Sequence, residues 1–378
     1  MTAEAGKLAA SLDLEKGPIM HVALFQRGPA QPVRLFVTVH HLAIDGVSWR
    51  PLLEDLETVY TQIRNKQPVS LPPKSSSFKQ WSEKLVDWVG TEALALSAAE
   101  VAVSATRHGQ SANSTNSISF NPNGANSVSD THTVSVKLNT DETRALLQDV
   151  PNAYNTNIND ALLTAAALAF APGSENGRLS ITLEGHGREE EVVSGVDLTR
   201  TVGWFTTHYP VHLETPNSEP GAALKAIKEQ LRQVPSKGLS YGVLRYLGSD
   251  SPLTDQPEPE VLFNYLGQFE RSLPPSELFK LVRPLQADIS PRNQRPHTLE
   301  INAVIMADQL HIDWTFSPQR ITIADVQTLA NNFIAELRDL IDHCTSVEIT
   351  ESTLSDFDLV DFDTDSFDQL ADMLSSQL

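Results

Sequence analysis

The sequence predicts a two-lobed α/β (α+β) fold, and three observations lead to this prediction. At 378 residues the chain is too long for one ordinary core, since domains usually contain about 100 to 200 residues. Strand-like and helix-like apolar patterns follow one another along most of its length. A polar stretch rich in Ser, Asn and Gly at 107–131 interrupts them and predicts a mobile surface connection. We therefore predict an N-terminal lobe at 1–140, a C-terminal lobe at 141–345 and an acidic tail or linker at 346–378.

The first lobe is predicted to contain a strand that leads into two adjacent histidines. Residues 33–39 alternate apolar and polar side chains, which assigns His41 to the apolar side of the strand and His40 to the other. After a turn at Asp45, Ser48 is suited to cap a helix over about 49–63. The predicted core face of that helix consists of Leu52, Leu53, Leu56, Val59, Tyr60 and Ile63.

The second lobe alternates between strand and helix patterns. Two glycines end one of its strands just after Glu184, in the stretch RLSITLEGHGREE. The other predicted elements are a strand at 134–138, one or two helices in 141–171, a helix near 220–233, an apolar stretch at 261–269, a hairpin across Asp308 and a final helix at 323–344.

Composition limits the partners and the compartment. The net charge is -20 and no basic cluster is evident, so we expect no nucleic-acid partner. The single cysteine, Cys344, fits a reducing compartment and excludes a cysteine-built zinc site. The longest apolar run, 161–171, is shorter than the roughly 20 residues of a membrane span, and no signal-peptide pattern begins the chain. The sequence predicts a cytoplasmic protein.

His40 and His41 are the first candidates for chemistry. Neighbouring residues of a strand point to opposite faces, which disfavours a zinc site. Two interpretations stay open: core histidines bonded to the backbone, or an imidazole that exchanges protons near neutral pH. Asp45 either orients His41, as the third member of a triad would, or forms a structural ion pair or turn cap. The sequence contains no G-x-S-x-G elbow and no complete dinucleotide fingerprint.

Six stretches together carry a family resemblance. They are HHLAIDGVSWR (40–50), INDALLTA (158–165), EGHGRE (184–189), RTVGWFTTHYPVHLE (200–214), PSKGLSYG (235–242) and FNYLGQF (263–269). In this order they resemble the epimerization domains of nonribosomal peptide synthetases, within the condensation-domain superfamily. The histidine motif is shared with condensation domains that form peptide bonds. EGHGRE, VGWFTTHYP and FNYLGQF distinguish the epimerization type.

The resemblance implies a chloramphenicol-acetyltransferase-like fold, in which two lobes form a V around a central tunnel. It assigns His41 and Glu184 to catalysis, with Tyr265 and Asn264 in the same pocket. Asp45 and His40 are supporting residues of the histidine motif. The implied reaction is L-to-D epimerization at the Cα of an aminoacyl or peptidyl thioester. The chain would bind no cofactor and no metal, because the substrate is carried on the phosphopantetheine arm of a partner.

The expected partners are an upstream peptidyl carrier domain and, through the acidic tail, a downstream condensation domain. The chain would be a monomer or part of a larger multidomain chain, and it would lack about the first 100 residues of the family's N-terminal lobe. Condensation-type acyl transfer and an inactive carrier-docking fragment are the alternatives. Glu184 has an alternative as well, a strand-end carboxylate paired with Arg188. We expect Trp204 and Tyr209 to pack around the tunnel.

Overall fold

The structure is a computed structural model. It describes residues 2–91, 94, 120–172, 178–215, 219–248, 251, 253–268, 276, 278–280, 282, 289–347 and 350–357. Within these ranges the strands form a two-stranded sheet and a six-stranded sheet. No helix in the same ranges is long and apolar enough to cross a bilayer.

The six-stranded sheet forms the centre of the larger part of the chain. Its strands are β3 (His132–Lys137), β4 (Arg178–Gly185), β5 (Thr207–Glu214), β6 (Val261–Gln268), β7 (Leu299–Met306) and β8 (Gln309–Phe316). The order across the sheet is β3-β8-β7-β6-β4-β5. β6 runs parallel to β4 and to β7, and the other pairings are antiparallel. The hairpin predicted across Asp308 is confirmed as β7–β8.

The helices agree with most of the predicted positions. They are α1 (Thr2–Ala10), α2 (Trp49–Arg64), α3 (Phe78–Trp88), α4 (Thr140–Gln148), α5 (Val150–Tyr154), α6 (Ile158–Phe170), α7 (Pro220–Arg232), α8 (Leu239–Tyr246) and α9 (Ile323–Ser346). The stretch 141–171 therefore contains parts of three helices rather than one or two. Asn155 adopts a left-handed conformation and ends α5, so α6 begins with its own Asn157–Asp160 capping box.

The main core lies between the six-stranded sheet and helices α6 and α9. α6 is buried from Asp160 to Phe170, as expected for a helix that is apolar on all sides. Trp314 of β8 is fully buried and lies between the rings of Phe170 and Phe333, with centroid distances of 6.2 and 5.8 Å. This packing holds the sheet rigid, and with it the strand ends that carry the candidate site.

The first part of the chain differs from its prediction in burial. β1 (Met20–Phe25) and β2 (Arg34–Val39) form the antiparallel two-stranded sheet, and every residue of β2 is half-buried instead of alternating. On the predicted core face of α2, Leu56, Tyr60 and Ile63 are exposed. Amphipathic periodicity identifies an apolar face, but it does not reveal how completely other elements cover that face.

The structure covers the predicted lobe and tail boundaries only in part. β3 lies before residue 140, yet it pairs with β8 and so joins the later sheet; the division at 140 stays a prediction. The predicted mobile connection at 107–131 lies outside the described residues up to 119. Of the predicted tail, residues 346–347 and 350–357 are described, and the second of these stretches packs on the lobe; residues 348–349 and those beyond 357 lie outside the described residues.

Candidate active site

The histidine motif begins where β2 ends. His40 caps a short 3-10 turn, His41–Ala43, because its Nδ1 accepts a hydrogen bond from the Leu42 amide at 3.2 Å. The neutral His40 ring therefore carries its proton on Nε2. His41 is exposed, so its predicted position on the apolar side of a strand is wrong. The strand ends at Val39, and His41 begins the turn, with its side chain at the surface.

The His41 ring lies against Trp204, with 5.2 Å between the ring centroids and 61° between the ring planes. Trp204 was predicted to pack around a tunnel, and it is 37% exposed. Edge contacts of this kind are a favourable arrangement of two aromatic rings. His41 is thus held at the surface of the later part of the chain by one aromatic side chain.

A buried ion pair connects the histidine motif to the EGHGRE loop. The Arg188 guanidinium donates to both carboxylate oxygens of Asp45, at 3.0 and 3.1 Å, and to the Ser48 hydroxyl at 2.9 Å. Arg188 also donates to the carbonyl oxygens of Leu198 and Thr201, at 3.0 and 2.9 Å. Of the two interpretations of Asp45, the structural ion pair is therefore confirmed. The alternative partner of Glu184, Arg188, is wrong because Arg188 binds Asp45.

Ser48 links the histidine motif to the segment that precedes β5. Its hydroxyl donates to Asp45 Oδ1 at 2.7 Å, accepts from the Gly203 amide at 3.2 Å and lies 3.0 Å from the Gly203 carbonyl. Ser48 occupies the N-cap position of α2 but makes no side-chain cap bond. The predicted capping role is thus wrong, because Asp45 and Gly203 occupy the hydroxyl.

Glu184 lies near the end of β4, directly opposite His208 of β5. Its Oε2 is 3.4 Å from His208 Nε2. The Glu184 side chain is 27% exposed and that of His208 is 47% exposed. The carboxylate can therefore be reached from solvent, and it faces an imidazole nitrogen.

The EGHGRE loop packs closely against Phe205, in the segment that precedes β5. Gly187 has a φ of +66°, and a Cβ at this position would lie 1.7 Å from the Phe205 carbonyl oxygen. Only glycine allows this conformation and this approach. The Arg188 guanidinium lies over the Phe205 ring, 4.0 Å from its centroid. The loop is therefore fixed against residues 203–207.

The two candidate catalytic groups contact one short segment. His41 contacts Trp204 and Glu184 contacts His208, and these two partners are four positions apart. Four residue steps of extended chain span at most about 14 Å. The sequence predicted both candidates, but it did not predict that residues 204–208 would be the shared neighbour.

Glu189 is buried and Tyr209 is partly buried in the same region. Glu189 is ion-paired with Lys237 at 3.2 Å, and its Oε1 lies 3.5 Å from His186 Nε2. Burial, together with the charge of Glu189, raises the pKa of Tyr209 to about 12. A Cβ on Gly238 would lie 2.1 Å from the Tyr209 ring, so the PSKGLSYG segment packs on Tyr209, which agrees with the predicted packing role.

Asn264 and Tyr265 lie on β6, next to β4 in the sheet. Asn264 is buried. Burial raises the pKa of Tyr265 to about 12, so its hydroxyl keeps its proton at neutral pH and can donate a hydrogen bond. Among the residues with described positions, no cluster of three His, Cys, Asp or Glu side chains is arranged to hold a metal ion.

Sequence reasoning missed His208, and it underestimated Arg188 and Ser48. The alternation of THYPVHLE indicates a strand, but strand pairing and register decide which residue lies opposite Glu184. The antiparallel β4–β5 ladder joins Glu184 to His208. A bond between Asp45 and Arg188, 143 positions apart, cannot be read from local patterns either.

Comparisons with known proteins agree with these features. The condensation domain family matches residues 2–360. The chain is 41% identical over 371 residues to a linear gramicidin synthase protein of Brevibacillus parabrevis, covering 96% of this chain and 7% of that protein. It is 35% identical over 389 residues to gramicidin S synthase 1 of Brevibacillus brevis, covering 99% of this chain and 35% of that protein. The chain thus spans a minor part of these relatives.

Two solved structures are similar as well. The epimerization domain from the third module of tyrocidine synthetase B has a TM-score of 0.77 and 35% identity, over 91% of this chain and 77% of that one. The first condensation domain of the calcium-dependent antibiotic synthetase has a TM-score of 0.60 and 16% identity, over 92% and 76%. The second likeness concerns the fold alone. Together they confirm the predicted chloramphenicol-acetyltransferase-like fold.

Proposed function

Because this chain belongs to the condensation domain family, we propose that it epimerizes the Cα of an aminoacyl or peptidyl thioester presented by a carrier protein. Family membership alone is compatible with epimerization and with acyl transfer. Epimerization is favoured by the likeness at 35% identity to the epimerization domain of tyrocidine synthetase B. The EGHGRE and FNYLGQF stretches favour it as well.

One observation carries the proposal: His41 and Glu184 contact the same segment, through Trp204 and His208. Inversion requires one group to remove the Cα proton and another to return a proton on the opposite face. An imidazole and a carboxylate, both accessible to solvent, are suited to this exchange. We assign these two roles to His41 and Glu184.

The thioester carbonyl makes the reaction feasible, because it delocalises the carbanion as an enolate. The developing oxyanion needs hydrogen-bond donors, each of which contributes about 3 kcal/mol. The protonated hydroxyl of Tyr265 and the amide of Asn264 are our candidates for support in this region. Asp45 and His40 act indirectly, since the first holds Arg188 and the second caps the His41 turn.

The proposed partner is a peptidyl carrier domain whose phosphopantetheine arm delivers the substrate. We propose that the chain itself binds no cofactor, because acid and base groups suffice for Cα proton exchange. A downstream condensation domain, contacted through the acidic tail, is the second proposed partner.

The test uses a carrier loaded with an L-aminoacyl thioester in D₂O, without any acceptor. We expect wild type to introduce deuterium at Cα and to give an L/D mixture, measured by mass spectrometry and chiral analysis after thioester cleavage. His41→Gln and Glu184→Gln should each lower the rate of L-to-D conversion at least about 100-fold, because inversion needs both groups. Glu191→Gln is the matched control, because Glu191 is 85% exposed and lies in the adjacent stretch.

Three outcomes would contradict the proposal. A peptide product that requires a second loaded carrier would indicate acyl transfer. Binding of the loaded carrier without deuterium incorporation would indicate a docking function. Retention of wild-type exchange in both variants would remove His41 and Glu184 from the mechanism.

A further inference from the structure

His208 faces Glu184 in a defined geometry. The two residues are directly opposed in the antiparallel β4–β5 ladder, so their side chains project from the same face of the sheet at close range. The distance from Nε2 to Oε2 is 3.4 Å. This is longer than an optimal charge-assisted hydrogen bond of about 2.8 Å, and such bonds often tighten when substrate binds.

The other basic groups nearby have different partners. Arg188 is bound to Asp45, and His186 contacts Glu189, as does Lys237. Across the described part of the chain, His208 is the only basic side chain with a nitrogen within 4.0 Å of the Glu184 carboxylate. The orientation of the Glu184 carboxylate therefore depends on His208 more than on any of these cations.

We propose that His208 is a positioning residue for Glu184, which it orients by donating a hydrogen bond from Nε2 to Oε2. One carboxylate oxygen is thereby held against β5, and the other stays available for the Cα proton. The inference rests on the proposed function and adds a residue to it. His208 does not itself exchange a proton with the substrate in this scheme.

Positioning matters because proton transfer requires the acceptor within hydrogen-bond reach of the carbon-bound proton. A side chain free to rotate spends only part of its time in the productive orientation. A misplacement of about 1 Å lowers the rate of an enzymatic step by up to about 100-fold. We therefore expect loss of the His208 donor to reduce kcat by about tenfold and to change KM by less than about twofold.

Three substitutions at His208 separate hydrogen bonding from packing. His208→Ala removes the donor. His208→Gln retains an amide donor near the original Nε2 position, whereas His208→Asn is too short to reach Glu184. We expect the Ala and Asn variants to lose about tenfold in kcat for L-to-D conversion, and the Gln variant to recover most of that loss. A merely structural role would not produce this order.

His212 provides a matched control on the same strand. It lies directly opposite Ser180 in the same ladder and contacts the Ser180 hydroxyl through Nδ1 at 2.7 Å. The spacing of four residues puts it on the same face of β5 as His208. His212→Ala and His212→Gln should leave kcat within about twofold of wild type.

A spectroscopic readout tests the contact independently of activity. In protein labelled with ¹⁵N-histidine, Glu184→Gln should shift the Nε2 resonance of His208 and leave that of His212 unchanged. An active wild type with a fully active His208→Ala variant would overturn the positioning role alone. An inactive wild type would overturn the proposed function and the role together, and an unmoved His208 resonance would show that the contact is absent.

Discussion

Asp45 and Arg188 are buried charges that join two distant parts of the chain. Their side chains are 5% and 10% exposed. Asp45 also accepts hydrogen bonds from the Ser48 amide at 2.8 Å and from the Phe205 amide at 3.3 Å. Through these contacts, Asp45, which lies two residues beyond the His41–Ala43 turn, fixes the segment that carries Trp204. The pair is therefore a structural part of the site, and neither residue transfers a proton in the proposed mechanism.

We predict that Asp45→Asn destabilises the protein by about 3 to 5 kcal/mol, because removal of one partner leaves the Arg188 charge buried without compensation. Urea denaturation measures the change. Lys79→Gln is the control: Lys79 and Glu83 form an exposed pair, with side chains 77% and 57% exposed, and its loss should cost less than about 1 kcal/mol. Equal stability of Asp45→Asn and wild type would contradict this description.

At the residue scale, motifs in the sequence selected the candidate residues but did not reveal which residues contact them. The choice of His41 and Glu184 came from motifs, and their catalytic roles stay predictions. The exposure of His41, the bond from Arg188 to Asp45 and the position of His208 depend on a local turn, on long-range contacts and on strand register. Local apolar patterns contain no information about such contacts.

A strap formed by residues 350–357 crosses helices α5 and α7. The Lys228 ammonium of α7 is 1% exposed and contacts Asp356 at 2.6 Å; it also donates to the Tyr154 carbonyl at 3.0 Å. Asn155 donates to Asp356 at 2.7 Å. The acidic stretch after α9 was predicted to be a flexible linker or docking tail. Its first part is instead fixed on the lobe by a buried cation, which local composition does not reveal.

We predict that the strap is released in acid. Burial opposes ionisation of Asp356, but hydrogen bonds from Lys228, Thr353 and Asn155 and the charge of Lys228 outweigh it and lower its pKa. A carboxylate with a lowered folded-state pKa contributes stability above its unfolded value of about 3.9, and that contribution is lost as pH falls through the folded value. Asp356→Asn should therefore cost about 3 kcal/mol at pH 7 and progressively less below about pH 4.

Urea denaturation of wild type and Asp356→Asn between about pH 7 and about pH 2.5 tests the strap. Lys225→Gln is the control, because the Lys225–Glu351 pair is more exposed, at 35% and 55%. A cost for Asp356→Asn that stays constant across this whole range would contradict the ionic origin of the strap.

At the scale of elements, periodicity was a reliable guide to helices and strands. The β7–β8 hairpin and helices α7 and α9 lie where their patterns predicted. α2 also lies where predicted, yet much of its apolar face is exposed. An apolar stripe shows which face of a helix favours burial, whereas the extent of burial depends on the elements that cover that face.

The whole molecule concentrates its core in the later part of the chain. The main cluster of buried apolar residues begins at Val134 and extends to Cys344. A second, smaller cluster joins Trp81 and Trp88 of α3 to Leu198, Phe205 and Leu239. The sequence predicted two lobes, and the second cluster shows how α3 is attached to the later part. The order of strands in the sheet came from the structure, because pairing among distant strands leaves no local signature.

The proposed mechanism requires two groups, one from each part of the chain, to act on one carbon. The most direct test compares washout of Cα deuterium from L- and D-aminoacyl carriers in H₂O for wild type, His41→Gln and Glu184→Gln. We predict that wild type exchanges both enantiomers, and that each variant slows washout from one enantiomer at least about 100-fold more than washout from the other, with opposite preferences. Equal loss of washout from both enantiomers in one variant, with no loss in the other, would contradict the two-group mechanism.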